Sequence, residues 1–204
     1  MIYTELAAIP RNHYRVIYAD FPWHWRPWKE AAPDAPLNRN ATKHYKTLSH
    51  EDLCALPIAD IAAKDCILLM WATWPMLPRA LECIEAYGFT YKTAGFDWMK
   101  ANGMQMDMFD DSIKADMKLG FWTRSNTEPC LLATRGKPKR NDAGVRMGII
   151  EPARQHSRKP DCVYGRIERL ADGPYLEMFA RNARKGWDSY GNEVGKFQDH
   201  SNSI

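Results

Sequence analysis

Short apolar runs with strand character alternate along this chain with helical segments, a pattern that a sheet covered by helices satisfies and few other architectures do. Residues 14–19 read as the first strand. Ser49 is placed to cap a helix running to about residue 62, with Asp52 where a capping box puts its acid. A buried strand follows at 66–71, then a helix over 75–87 that Gly88 stops, and a strand over 89–100 with a bulge at Gly95. A further strand is predicted at 128–134. The helix over 159–171 carries Pro160 in its first turn, where a missing donor costs nothing, and 174–179 is the last core strand. With 204 residues, 45% of them hydrophobic, the chain suits one domain with a sizeable core, read as residues 1–204. The fold class expected is α/β, Rossmann-like, with a mostly parallel central sheet flanked by helices.

Two segments resist this alternation, 26–46 and 101–119, the second carrying Met104, Met106, Met108 and Met117. Loops beyond about 12–15 residues within a compact domain are commonly functional, and these two flank the residues singled out below. The five cysteines (Cys54, Cys66, Cys83, Cys130, Cys162) are odd in number and lack paired spacing, and the six histidines show no ligand spacing. Free thiols in a reducing compartment and no metal are therefore expected. No stretch approaches the roughly twenty apolar residues of a membrane span, and the amino terminus lacks a long apolar core, so a cytoplasmic protein is expected. The net charge of +3 permits a nucleic-acid partner without demonstrating one. Its distribution says more: Arg135, Lys137, Lys139, Arg140, Arg146, Arg154, Arg158 and Lys159 crowd one Gly- and Pro-broken stretch, which reads as a solvated loop suited to phosphate contact.

The most chemically specific run is Val16-Ile17-Tyr18-Ala19-Asp20-Phe21-Pro22-Trp23, an apolar strand delivering an acid, a proline and an aromatic ring to its carboxyl end. An exocyclic amine on a nucleobase has its lone pair delocalised into the ring. A carboxylate, with a backbone carbonyl from Phe21 or Pro22, can accept both amine hydrogens and favour a pyramidal nitrogen whose lone pair is free to attack. Pro22 stiffens the turn, and Trp23 offers a ring on which a base could stack. Such chemistry requires neither a metal nor a covalent intermediate.

At these residues the chain resembles the S-adenosylmethionine-dependent adenine-N6 methyltransferases, the family that includes the catalytic subunit of the eukaryotic mRNA enzyme and bacterial and phage DNA-modifying relatives. The family's Asp-Pro-Pro-Trp reads here Asp20-Phe21-Pro22-Trp23, keeping the carbonyl while losing one rigid ring. Further blocks follow in the family's order: Lys43-His44-Tyr45, Leu69-Met70-Trp71, Trp98-Met99-Lys100, Gly120-Phe121-Trp122 with Thr127-Glu128, Ser157-Arg158-Lys159-Pro160-Asp161, Leu176-Glu177-Met178-Phe179-Ala180-Arg181 and Gly191-Asn192-Glu193. The resemblance implies Asp20, Phe21, Pro22 and Trp23 at the reacting amine. It implies S-adenosylmethionine held by Asp20, Lys159, Phe179, Arg181, Asn192 and Glu193, and a substrate adenine met by Tyr45, Trp122 and Glu128, with Lys137, Lys139 and Arg140 on phosphates. The implied activity is N6 methylation of adenine in DNA, by the chain alone, as a homodimer or with a second subunit. An RNA adenine methyltransferase and a catalytically silent nucleic-acid-binding subunit are the alternative readings.

Overall fold

The structure, a computed structural model, describes residues 1–23, 47–101, 122–123, 125–155 and 158–195. Eight strands form one sheet: β1 (Ile2–Tyr3), β2 (Tyr14–Asp20), β3 (Ala62–Trp71), β4 (Thr90–Lys100), β5 (Thr127–Arg135), β6 (Gly148–Glu151), β7 (Tyr175–Met178) and β8 (Trp187–Tyr190). Their order across the sheet is β1-β8-β7-β2-β3-β5-β4-β6. Every neighbouring pair is parallel except those made by β5, which runs against both β3 and β4.

Alternation along β2 explains why the sheet needs helices on both sides. Ile17 and Ala19 point to one face and pack with Leu68, Met70, Leu131 and Leu176, under Leu53 of α1 (His50–Cys54), Ile58 of α2 (Ile58–Ile61) and Ile84 of α3 (Leu77–Ala86). Val16 and Tyr18 point to the other face and pack with Leu69, Trp71 and Phe96 beneath Val163 and Ile167 of α4 (Cys162–Leu170). A strand buried on both faces reads as a continuous apolar run, which is why β2 and β3 were legible in the sequence. Among the described residues, no helix is long and apolar enough to cross a membrane.

Several expected elements change at their edges. The helix expected over 49–62 is two short helices, because Pro57 has no N–H to continue the ladder and sits between them. Its start is as expected: the Ser49 hydroxyl accepts the Asp52 N–H at 3.1 Å and donates to the Asp52 carboxylate at 2.9 Å. The helix expected from 75 begins at Leu77 after a 3-10 turn at Trp74–Met76, and the one expected from 159 begins at Cys162. Lys159 and Pro160 thus lie in the approach to α4, which leaves the Lys159 side chain to turn inward. Gly88 has φ +72° after α3, and the register of β4 on β5 slips between Ala94 and Phe96, a bulge at Gly95. A Cβ at Gly95 would sit 2.6 Å from Leu69 Cδ2, so the bulge is also a point of close packing. The strands at β1, β6 and β8 were not anticipated, and β7 is therefore not the last of the core.

The order of the strands determines where a ligand fits. From β2 the chain crosses to β3 on one side, and after β6 it returns through α4 to β7 on the other side of β2. The carboxyl ends of β2 and β7 therefore flank the point where the winding reverses, the usual position of a ligand crevice in an open α/β sheet. The loop 26–46, and residues 102–119 of the second loop, lie outside the described residues.

Candidate active site

Asp20 ends β2 and Phe179 follows β7, so the two face each other across that crevice. A cavity of about 510 Å³ opens there, within the range of small-molecule and cofactor sites. Asp20, Phe21, Pro22 and Leu48 line it from the β2 side, with Phe179, Arg181, Asn192 and Glu193 opposite. Its aromatic wall is continuous: the Phe179 ring meets Phe21 at 5.6 Å and Tyr190 at 5.6 Å, both edge-on. Phe179 has φ +61°, a conformation bulky residues rarely adopt, and it occupies the turn where many nucleotide-binding folds place glycine. The glycine here is Gly191 on the facing strand end, where a Cβ would lie 2.6 Å from the Ala180 carbonyl oxygen.

On the other side of Asp20 the charges alternate. The Lys159 ammonium lies 2.8 Å from Asp20 Oδ2 and 3.5 Å from Glu128 Oε2, and Glu128 also binds the Lys100 ammonium. Both lysines lie near indole rings, Lys159 at 5.5 Å from Trp71 and Lys100 at 4.8 Å from Trp98. Burial opposes the charge on Lys159, yet the Asp20 and Glu128 carboxylates outweigh it and hold its pKa above the ordinary lysine value. A smaller polar recess beside Asp20 is lined by Tyr18, Arg158, Lys159, Tyr164, Glu177 and Asn182. There the Tyr164 hydroxyl is 3.0 Å from both Glu177 oxygens, and burial raises the Glu177 pKa to about 8. Arg181, which lines both spaces, pairs with Glu193 at 3.5 Å.

The turn after Asp20 is fixed by its own backbone. The Trp23 N–H donates to the Phe21 carbonyl at 2.9 Å and the Leu48 N–H to the Pro22 carbonyl at 3.1 Å. Each carbonyl retains a second lone pair for a substrate hydrogen. The Trp23 ring differs from the expectation. It is buried, its indole N–H donates to the Trp71 carbonyl at 3.1 Å, and it packs edge-on against Phe21. It supports the turn from below and does not present a free face for a base. Phe21 is also buried, its ring packed against Trp23, Tyr87 and Phe179, so its side chain contributes packing beyond the carbonyl that the motif keeps.

The remaining expected residues divide. Asp20, Phe21, Pro22, Lys159, Phe179, Arg181, Asn192, Glu193 and Glu128 converge on one region. Tyr45 lies outside the described residues, and Trp122 is fully exposed. Lys137, Lys139 and Arg140 do not join the site. They follow β5, whose antiparallel course carries the chain from Cys130, level with Trp71, to Arg135, level with Cys66 at the opposite edge of the sheet. The basic stretch is thus cut in two by β6: its first part lies at the far edge, while Arg154, Arg158 and Lys159 return to the site edge. Sequence reasoning missed Lys100, Tyr18, Tyr164 and Glu177. A charge ending the apolar strand Trp98-Met99-Lys100, and one inside Leu176-Glu177-Met178, were the available signals.

A parallel sheet interrupted by one reversed strand, with its ligand cavity where the strand order turns, is the architecture of a Rossmann-like methyltransferase. The chain belongs to the MT-A70 family, which matches it over residues 14–193. It is 32% identical over 200 residues to the type II methyltransferase M.MunI of Mycoplasma sp., an alignment covering 91% of this chain and 80% of that protein. It is also 29% identical over 167 residues to an N(6)-adenosine-methyltransferase MT-A70-like protein of Arabidopsis thaliana. With the N(6)-adenosine-methyltransferase catalytic subunit METTL3 of Homo sapiens, identity is 28% over 165 residues. These two alignments cover 79% of this chain but only 23% and 27% of the eukaryotic proteins. MT-A70 methyltransferases depend on S-adenosylmethionine, and the residues here fit that group: a ligand-sized cavity, an aromatic wall, and cationic and amide groups at its rim.

Proposed function

We propose that this protein methylates the N6 amine of adenine in DNA. The observation that carries the reading is the position of Asp20, at the carboxyl end of a central strand, oriented by Lys159 and lining a cofactor-sized cavity. Phe179, Arg181, Asn192 and Glu193 would hold S-adenosylmethionine with Asp20 and Lys159 at one end, and the bound cofactor supplies an electrophilic methyl. Asp20 accepts one hydrogen of the adenine amine and the Pro22 carbonyl the other, which aims the nitrogen lone pair. Lys159 is a positioning residue here, fixing the carboxylate that touches the amine, and Glu128 with Lys100 holds Lys159 in turn. Asp20 need not be a strong base, since the amine proton becomes acidic only as the nitrogen gains positive charge.

DNA is favoured over RNA by two observations. The compact bacterial and phage branch that the sequence resembles modifies DNA, and the alignment with M.MunI spans most of both chains. An adenine in a duplex would be flipped out at a cost of about a few kcal/mol. The free thiols fit a reducing cytoplasm. Light scattering with and without DNA distinguishes a single chain from a homodimer, and co-purification tests for a second subunit.

The test is transfer of labelled methyl from S-adenosylmethionine to unmethylated DNA and RNA, single- and double-stranded, by wild type and Asp20→Ala. Label on adenine in DNA, lost in the variant while calorimetry shows that the cofactor still binds, is the expected result. Label confined to RNA moves the substrate class, and none anywhere points to a silent subunit. Full activity of the variant removes Asp20 from the mechanism.

A further inference from the structure

On the face of the sheet covered by α1 and α3, three side chains with metal-ligand chemistry meet although the cysteines lie 29 residues apart. Cys54 Sγ is 3.2 Å from Cys83 Sγ, and His50 Nδ1 is 3.9 Å from each sulfur. His50 and Cys54 are one helical turn apart on α1, and Cys83 comes from α3. The other imidazole nitrogen, Nε2, lies 2.7 Å from the Glu82 carboxylate. That contact engages Nε2 and leaves Nδ1 for a metal, the carboxylate–histidine pairing that orients imidazole ligands on zinc. Cys54 Sγ lies 3.7 Å from Nε2 and 3.9 Å from Nδ1, so a turn of the ring is needed to aim Nδ1 between the sulfurs.

We propose that His50, Cys54 and Cys83 form a zinc site, with Glu82 orienting the imidazole and water in the fourth position. With zinc–sulfur bonds of about 2.3 Å and zinc–nitrogen bonds of about 2.0–2.1 Å, a tetrahedral site separates two sulfurs by about 3.8 Å and sulfur from nitrogen by about 3.6 Å. The three observed separations lie within about 0.6 Å of those values. The adjustment required is a parting of the sulfurs and a turn of the imidazole; Cys54 is only partly buried, whereas Cys83 lies in the core. Two thiolates with one imidazole select zinc over magnesium or calcium, which take oxygen ligands.

The site has a structural consequence close to the cavity. The Leu48 N–H that precedes α1 is bonded to the Pro22 carbonyl, and Leu48, Asp52 and Leu56 line the cavity wall. A metal joining α1 to α3 would brace that wall against the core. Cysteines ligate as thiolates, so metal binding expels thiol protons and affinity falls as pH falls.

Cobalt(II) titration of the full chain in a phosphine reductant tests this, cobalt serving as the spectroscopic stand-in for zinc. Expected are thiolate-to-cobalt charge-transfer absorption and tetrahedral ligand-field bands saturating at one equivalent, displaced by zinc, with at least one proton released per metal. Cys54→Ser should abolish the charge-transfer band, and Cys162→Ser should leave it intact. Glu82→Gln, at a largely exposed position, should weaken affinity by about 10–100-fold. Zinc should raise the melting temperature of wild type and not that of Cys54→Ser. Absence of charge-transfer absorption in the reduced wild type, or its full retention in Cys54→Ser, overturns the proposal.

Discussion

Glu177 sits in the middle of β7, shielded from water, with the Tyr164 hydroxyl close to both its oxygens and Asp20 adding to the cost of a second negative charge. Burial raises its pKa from 4.5 to about 8, so between these values the folded protein keeps a proton that the unfolded chain has lost. Wherever the folded state binds more protons, stability falls as pH rises. Glu177 therefore stabilises the fold least above pH 8, by up to a few kcal/mol relative to acid conditions. Glu177→Gln preserves the shape and removes the titration. Thermal melts of wild type and variant between about pH 5 and 9 should diverge, wild type losing ground as pH rises; parallel curves would show that Glu177 ionises as freely in the fold as outside it. Lys159 does not blur this comparison. Its raised pKa makes its contribution fully present below 10.5, to be lost only as pH climbs through its folded value. The two buried titratable groups next to Asp20 thus differ in kind: Lys159 is stabilised as an ion by its carboxylate partners, whereas Glu177 is held as the neutral acid by its surroundings.

The turn joining β7 to β8 shows how one element edge shapes the cavity. Gly191 follows β8, and a Cβ there would meet only backbone: the Ala180 oxygen at 2.6 Å, the Ala180 nitrogen at 3.0 Å and the Phe179 carbonyl carbon at 3.2 Å. The Ala180 N–H donates to the Tyr190 carbonyl at 2.9 Å, so the two segments cannot part without losing that bond. Gly191→Ala should cost about 1–3 kcal/mol of stability and weaken S-adenosylmethionine binding at least tenfold, measured by melting and by calorimetric titration. Gly165→Ala is the control, since a Cβ there meets nothing within 4 Å and α4 should gain about 1 kcal/mol. Equal cofactor affinity in both variants would mean that the close approach at Gly191 does not shape the site. How much of such elements was legible follows from their length and burial. The long strands β2, β3 and β5 carry apolar runs through their buried centres, β4 alternates buried and half-buried residues from Phe96 to Lys100, and all four were placed within a few residues, as was the acid at the end of β2. The strands β1, β6 and β8 have two, four and four residues. Runs so short carry no usable period, and they pair only because neighbouring strands offer them an edge. The same limit applied to the site: Asp20 and Lys159 stood out in motifs, whereas the packing of Trp23 and the meeting of His50 with Cys83 depend on contacts between distant segments.

Across the whole molecule, the single reversed strand decides which charges a substrate can meet. Among the described residues, seven strands deliver their carboxyl ends to one edge, where Asp20, Lys100, Arg154, Arg158 and Lys159 gather, and β5 carries the chain away from it. Lys137, Lys139 and Arg140 follow β5, and the Lys137 N–H is bonded at 2.7 Å to Asp65 near the start of β3. The five residue steps from Cys130 to Arg135 span about 17 Å at the rise of an extended strand, so these cations are separated from the reacting edge by most of the sheet's height. A nucleic acid presenting one base to Asp20 places its adjacent phosphates around the carboxyl edge. Each phosphate contact that is lost reduces the slope of log affinity against log salt by about 0.7–0.9. Were all three cations on phosphates, their joint replacement by alanine would lower that slope by about 2–3. The fold predicts otherwise: Lys137→Ala/Lys139→Ala/Arg140→Ala should leave the slope unchanged and kcat/KM within about twofold of wild type, since an interaction absent from the complex contributes to neither. A fall in slope by two or more would mean that DNA wraps past the edge of the sheet to its amino-terminal side, and that the far cations belong to the binding surface after all.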